Sequence, residues 1–448
     1  MPGSESNSID IVVIGAGGCG MTAALVSARK GARVLLLEKT DKPGGGTAYS
    51  SKGIRAAGTR FQQTRGVEDS AEKYVEDILR RNNNESDPAL TRRLVETSAP
   101  VADFLADVAG IEFIIGEFAF GHNALRAHSW SSDKLITAFL FEAVQREPNI
   151  QVRFSTPVES LQQDADGTVT GVVTDSGVIT ARKVILASGG FGASRELLSQ
   201  YIPEAVGIPF PGHYGSTGDG IKMGMAAGAD VENMGSFQPY PAWIGPEKQS
   251  VSPEVALAGG VMVNLQGKRF VDETKYPGGL GTGMLDLPDG QGYEILDERI
   301  YQLHKLLLED FLSVGLLMRA QTPGELAGKL GIDAAGLEET VEEYNQTAGT
   351  GPDAFGRRLP TPLSAPFYGI KVKVALYHTQ GGLKVNTDGQ VLRPDGSIIP
   401  NLYSGGGAAT GISGSGIEGY LPGNGQLASL GLGMLAGEHA AASLKAKI

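Results

Sequence analysis

Residues 9–39 read IDIVVIGAGGCGMTAALVSARKGARVLLLEK, and the reading of this stretch decides the fold. An apolar run, IVVI, leads into Gly15, Gly17 and Gly20 at GxGxxG spacing, with Gly18 beside them. An alanine-rich helical segment follows, then a second apolar run, RVLLL, which ends at Glu38 and Lys39. GxGxxG alone is a weak signal. In a strand–turn–helix–strand unit, with an acid 18 residues after the last glycine, it is a dinucleotide-binding fingerprint. Gly15 makes the tight turn, Gly17 lets backbone approach a pyrophosphate, and Gly20 permits close packing of helix on strand. The helix N-terminus stabilises the phosphates, and Glu38 is placed to accept from ribose hydroxyls. Cys19, in the same turn, reads as a small space-filler.

The bulk numbers agree with a large globular chain. Of 448 residues, 41% are hydrophobic and 20% charged, which argues against global disorder. Glycine is in excess: 64 residues, about twice the usual ~7%, clustered without a repeat period. Such clusters bring backbone close to a ligand. The net charge of −12 is spread without a basic face, so nucleic acid is not an expected partner. A single cysteine excludes an intramolecular disulfide and a Cys-based metal site. His122, His213, His304 and His439 show no metal-ligand spacing. MPGSESNSID carries no basic-then-apolar signal and no apolar run reaches ~18 residues. The expectation is a cytoplasmic protein with no transmembrane segment and no metal.

The next stretch, KPGGGTAYSSKGIRAAGTRFQ, residues 42–62, is a second glycine-rich loop directly after the ribose-binding acid. A long, extended dinucleotide suits it. Here the chain resembles the FAD-binding family of fumarate reductases and succinate dehydrogenase flavoproteins. That family reads Gly-Gly-x-Thr, then Ser/Ala-x-Gly-Gly, then a Gln, and Gly45, Thr47, Ser51, Gly53 and Gln62 match it. Respiratory members carry a flavin-linking histidine just before this threonine; Gly46 stands there, which implies FAD held non-covalently.

The resemblance covers nearly the whole chain. Short alternating runs over 150–187 (QVRFSTPVESL, TVTGVVT, ARKVILA) read as strands. The family pattern assigns Val158 among them to the cofactor. ASGGF, 187–191, resembles the family's strand end under the FAD, with Ala187, Gly189 and Gly190. STGDG, 216–220, resembles the Gly-Asp-Gly that carries Asp219 towards the flavin. Residues 70–110 and 132–146 read as helical, with Pro88 near a helix start. After about residue 232 the nucleotide signals stop. VMVNLQGKRFVDE reads as strand–turn–strand, and 291–346 as helices. The nucleotide-type glycine runs return in NLYSGGGAATGISGSGIEGYLPGNGQLASLGLGMLAG. This run is expected to pass over the flavin and open a helix at about Gln426, flanked by Gly425 and Leu427, so that the helix N-terminus stabilises the anionic reduced form. The family's glutamate is replaced by Gly407. The fold expected is α/β: a discontinuous Rossmann-like FAD-binding domain, 1–232 and 370–448, with an inserted α+β capping domain, 233–369.

Flavin chemistry at a carbon pair needs hydride transfer at N5, a base for the neighbouring proton, and stabilisation of charge on an adjacent carbonyl or carboxylate. Family fumarate reductases use two histidines and two arginines. His378, in HTQGG, matches one histidine; Tyr240, in QPYP, replaces the other, as in urocanate reductases. After GKRFVDE no arginine follows, and Lys275 or Tyr276 occupies the region. Before the final Gly-Asn, Leu421 or Tyr420 stands where the second arginine is expected. Losing both bidentate forks speaks against a dicarboxylate. Arg269 reads as a scaffold residue that ties a turn. The replacements resemble 3-ketosteroid dehydrogenases, where one tyrosine is the base and another hydrogen-bonds the ketone; Tyr276 and Tyr420 resemble these two. Lys275 is then the cation that makes a tyrosine base workable. Arg126 and His128, in LRAHSW, are expected to line the cofactor side. The resemblance implies an FAD-dependent oxidoreductase acting on a CH–CH bond beside a carbonyl, with an unidentified electron acceptor or donor. The alternatives are a fumarate-reductase-like enzyme for a small carboxylate and a non-catalytic flavin redox sensor.

Overall fold

The computed structural model describes residues 8–50, 52–117, 119, 121–245, 250–275, 278–358 and 361–445. The chain divides into two compact units: Met1–Val206 with Gly212–Phe237 and His378–Ile448, and Gly207–Pro211 with Gln238–Tyr377. Both main crossings between units fall inside strands, Phe237–Trp243 and Phe367–Thr379.

The first unit is built on β1 (Ile11–Ile14), α1 (Gly18–Arg29) and β2 (Val34–Leu37). Helices α2 (Ala71–Arg81) and α3 (Pro88–Asp107) follow, capped by Ser70 and Asp87 through the N–H groups of Lys73 and Leu90. The sheet then gains β3 (Ile150–Arg153), β4 (Lys183–Leu186), β5 (Gln390–Leu392) and β6 (Ile398–Ser404), and α4 (Asn424–Ser443) closes the unit. The order β5–β6–β4–β1–β2–β3 puts β1 at the centre, parallel to both neighbours, with Ile11 opposite Lys183 and Val34. Only β5 runs antiparallel to its neighbour. β1 and β2 are buried along their whole length, as strands covered on both faces must be.

Small residues let α4 lie close on α1. A Cβ at Gly433 would come within 2.5 Å of the Cys19 carbonyl oxygen, and one at Gly437 within 2.7 Å of that of Ala23. The Ser27 hydroxyl donates to the Gly437 carbonyl at 3.1 Å. The C-terminal glycines are therefore packing residues, not a linker.

The second unit holds an antiparallel sheet in which Gln291–Asp297 lies between Phe367–Thr379 and Val261–Val263. Two expectations need correction here. Residues 291–297 form a strand rather than the start of a helical stretch, because the segment is buried on both faces and pairs on both edges. The second strand expected in GKRFVDE reduces to one bridge, Val263 to Arg269, since Arg269 turns back onto Glu273 and Asp353. The helix Ala334–Thr347 falls at the end of the helical stretch expected over 291–346, with Asp333 accepting from Gly336 N–H at its start.

Candidate active site

The glycine fingerprint folds as its chemistry requires. Gly15 has φ +107°, and a Cβ there would sit 2.5 Å from the Ala187 carbonyl oxygen. At Gly20 a Cβ would meet the Gly15 oxygen at 1.8 Å. Gly17 is different: the nearest atoms lie 3.8 Å away, so the chain's own packing does not demand glycine. Gly17 caps α1 without a side chain of its own, and the helix has no acid in its first turn. That leaves an electropositive, sterically open helix start.

Glu38 is fixed beneath this turn. One carboxylate oxygen accepts from Ala16 N–H at 2.9 Å, the other from the Thr40 N–H and hydroxyl, each at 2.9 Å. It therefore holds the turn, a role separate from the ribose contact that the fingerprint expects of it. Lys39 donates to Asp219 at 2.6 Å and to Thr217 at 2.7 Å. Val158 and Asp219 line one cavity of about 400 Å³.

The second glycine loop is a tight 3-10 turn, Gly45–Tyr49, bridged to the first through Gly44 and Gly17. Thr47 accepts from Gly18 N–H at 3.2 Å. A Cβ at Gly46 would meet nothing within 4 Å, so a larger residue fits and the sequence does not supply one. Gly53 has φ +154°. Ser51 lies outside the described residues. Gly189 has φ +79°, while Gly190 and Gly407 cross so closely that a Cβ at Gly407 would sit 2.5 Å from Gly190 N. No side chain fits there, glutamate included. Thr379 completes the crossing by accepting from Phe191 N–H at 3.1 Å.

At the N-terminus of α4 the chain gathers chemistry. Gly423, φ +104°, caps the helix; its N–H donates to the Tyr420 hydroxyl at 3.4 Å. The His378 ring stands edge-on to Tyr420, with centroids 5.2 Å apart at 67°. A Cβ at Gly425 would touch His378 at 3.4 Å. Gln426 donates to Ser50 at 2.6 Å, tying the helix start to the second glycine loop, and Leu427 is buried behind it. Burial pushes the Tyr420 phenol above its ordinary value, and the Gly423 N–H, Arg55 and Gly425 N–H pull it back. Burial holds His378 below its ordinary value, so the ring is neutral. His378 Nδ1 faces the Thr379 carbonyl at 3.3 Å; with the proton there, Nε2 is an acceptor.

Sequence reasoning missed Arg55. Its stem lies where a Gly423 side chain would go, 2.2 Å from the Cβ position, and its charge is felt by Tyr420 and Tyr74. Its place in GIRAAG, two residues after Gly53, was the available signal.

Of the other candidates, Tyr240 and Lys275 belong to the second unit. Tyr240 stacks on Tyr377 at 5.0 Å and donates to Ser250 at 3.4 Å; Lys275 is exposed. Tyr276 lies outside the described residues. Two scaffold readings are corrected, and the motif residue Gln62 has a structural role of its own. Arg126, fully buried, is clamped between Asp69 and Asp77 and does not line a cofactor surface. His128 is likewise buried, bonded to Thr59 and to the Arg126 carbonyl. Gln62 forms a capping box with Thr59 and reaches Asp69 and Leu125. Among the described residues no three His, Cys, Asp or Glu side chains cluster to hold a metal.

This arrangement has a counterpart in known proteins. The family described as FAD binding domain matches residues 10–426. The chain belongs to that family. Proteins similar to it include an NADH:fumarate oxidoreductase of Klebsiella pneumoniae, 32% identical over 97% of this chain and 48% of that protein. A urocanate reductase of Eggerthella lenta is 31% identical over 90% and 70%, and a vinyl phenol reductase of Lactiplantibacillus plantarum 28% over 98% and 97%. The chain thus spans about half the length of the first of these. Among solved structures, the open conformation of a flavocytochrome c3 fumarate reductase superposes with a TM-score of 0.83 at 29% identity, covering 98% of this chain and 78% of that one. A 3-ketosteroid-Δ4-(5α)-dehydrogenase from Rhodococcus jostii, in complex with 4-androstene-3,17-dione, gives 0.80 at 25%, covering 98% of each. The fold is that of FAD-dependent oxidoreductases: a discontinuous Rossmann-like domain with an inserted α+β unit. The residues present fit FAD, since the acid-free start of α1, the open Gly17 and the anchored Glu38 match a diphosphate and a ribose. No helix among the described residues is long and apolar enough to cross a membrane.

Proposed function

We propose that this protein is an FAD-dependent oxidoreductase that dehydrogenates, or reversibly reduces, a carbon–carbon bond next to a carbonyl in a mainly apolar substrate. Bound FAD supplies the hydride-accepting and hydride-donating N5. The observation that carries the reading is Tyr420 at the start of α4. Its oxygen accepts from Gly423 N–H, so its own proton is available to a substrate carbonyl oxygen. Negative charge developing on that oxygen is stabilised by the helix N-terminus and by the cation of Arg55. His378 offers Nε2 as an acceptor beside it. Tyr276 is the proposed base for the carbon-bound proton, with Lys275 the cation that lowers its cost of ionising; Tyr240 joins them as a third family position. A second reading, a small enoate as substrate, is favoured by the presence of both His378 and Arg55. The remaining assignments follow the family pattern: Gly15, Gly17, Gly18, Gly20, Glu38 and Lys39 for the adenosine diphosphate half, and Gly45, Gly46, Thr47, Ser51, Gly53, Gly189, Gly190, Gly407 and Gly425 to Leu427 for the flavin half.

FAD is proposed to be non-covalent, because Gly46 stands at the linking position; acid or heat denaturation then releases all of the flavin into the supernatant. A cytoplasmic location is proposed as well. The test is stopped-flow bleaching of the flavin with a panel of ketones, enones and enoates. Tyr420→Phe should keep its FAD and lose about 10²–10³ in the rate of bleaching, the cost of one oxyanion donor. If no member of the panel changes the flavin spectrum in the native protein, the reading fails.

A further inference from the structure

His122 lies far from Tyr420 in sequence and touches the loop that carries it. Its Nε2 is 2.9 Å from the Pro422 carbonyl oxygen, and its Nδ1 is 3.2 Å from Arg126 Nη1. Arg126 has only donors, so Nδ1 must be the acceptor and Nε2 must carry the proton. The tautomer is therefore fixed: Arg126 donates to His122, and His122 donates to Pro422. Arg126 is itself immobile, held by both Asp69 and Asp77 with all three side chains fully buried.

The accepting carbonyl and the donor to Tyr420 belong to one peptide group. The C=O of Pro422 takes the His122 proton, and the N–H of Gly423 donates to the Tyr420 hydroxyl. A peptide whose carbonyl is already hydrogen-bonded has a more polarised N–H, so bonds in series strengthen one another. The loop is gripped a second time by Arg81, whose Nε donates to the Tyr420 carbonyl at 3.3 Å.

We propose that His122 and Arg126 are positioning residues that act on the Tyr420 hydroxyl through the single peptide plane between Pro422 and Gly423. This rests on the role given to Tyr420 above. Burial pushes the His122 pKa down to about 4, with Arg126 and Arg55 adding to the effect and the Pro422 bond and Asp77 opposing it. The neutral ring and its bond to Pro422 therefore persist across the physiological range. The groups facing the phenol itself are Arg55, Tyr74 and His378.

The experiment uses the FAD-loaded protein labelled with [¹³Cζ]tyrosine, with the Tyr420 signal assigned by its loss in Tyr420→Phe. His122→Leu should move that signal and reduce the phenol's acid dissociation constant by roughly threefold, the scale of one polarised hydrogen bond. His122→Gln should restore both, since its amide can donate to Pro422 and accept from Arg126. A Tyr420 signal that is the same in native, Leu and Gln proteins overturns the proposal. If His122→Leu does not fold, His122→Phe, which keeps a ring against Tyr74 (5.4 Å between centroids), serves the same comparison. The measurement needs no substrate. Normal turnover by Tyr420→Phe would remove the catalytic reading of Tyr420 while leaving this coupling to stand or fall on the spectra.

Discussion

Glu38 illustrates how one side chain can carry two functions that a mutation cannot separate without care. Removing its carboxylate strips acceptors from Ala16 N–H and from both donors of Thr40. Buried donors left without partners cost about 1–3 kcal/mol each. Glu38→Ala should therefore lose FAD and melt at a lower temperature even as apoprotein. Glu38→Gln keeps one carbonyl acceptor, so its apoprotein should melt closer to the native one while FAD affinity falls by one to two decades, the loss of a charge-assisted bond of about 1.5–3 kcal/mol. Calorimetry of the apoproteins beside FAD titrations checks both; equal FAD affinity in native and Gln proteins would take Glu38 off the ribose. At this scale the sequence was readable where a residue acts within one short unit of chain, as Gly20 does against Gly15 and Glu38 with Ala16 and Thr40. It was silent for the contacts of His122 with Pro422 and of Arg55 with Gly423, which span some hundreds of positions. Arg126 misled, because a buried arginine between two aspartates and a ligand-binding arginine look alike in one dimension.

Elements were legible when their periodicity was clean and illegible when burial erased it. The β1–α1–β2 unit shows two fully apolar strands around an alanine-rich helix, which nothing else imitates. Gln291–Asp297 has a buried glutamate and aspartate in it, so its charges looked like an exposed helical face. The turn after β6 is the element most constrained by a feature invisible in sequence, the crossing of Gly407 over Gly190. Gly407→Ala would set a methyl 2.5 Å from Gly190 N and press on the Thr379–Phe191 bond. Overpacking of this kind costs typically 1–3 kcal/mol. The mutant should fold with a lower melting temperature and hold less FAD, whereas Gly46→Ala, in open space, should match the native protein in both. An unaffected Gly407→Ala would mean the two backbones separate readily and the crossing does not position the flavin.

Across the whole molecule, the buried ionisable groups of the two units pull stability in opposite directions with pH. In the first unit, burial holds His122 and His128 neutral, each at about 4 against an ordinary 6.5. Such bases contribute stability above 6.5 that is lost as pH falls towards 4, because only the unfolded chain takes up the proton. In the second unit, burial and the neighbouring Glu273 raise Glu294 to about 8, against the weaker pull of Arg357. Its neutral form is the folded one. Its contribution is complete below about 4.5 and declines as pH rises to 8, at about 1.4 kcal/mol per pH unit. Glu294→Gln isolates this term, since the amide matches the neutral acid in shape and cannot ionise in either state. Native and mutant proteins should be equally stable at pH 4.5, and the mutant should gain steadily up to about pH 8 and then run parallel. Calorimetry across that range reads the difference directly, and acid loss from His122 and His128 cancels because both proteins share it. A constant difference at all pH values would mean that Glu294 ionises as freely in the folded chain as in the unfolded one, and that water reaches it.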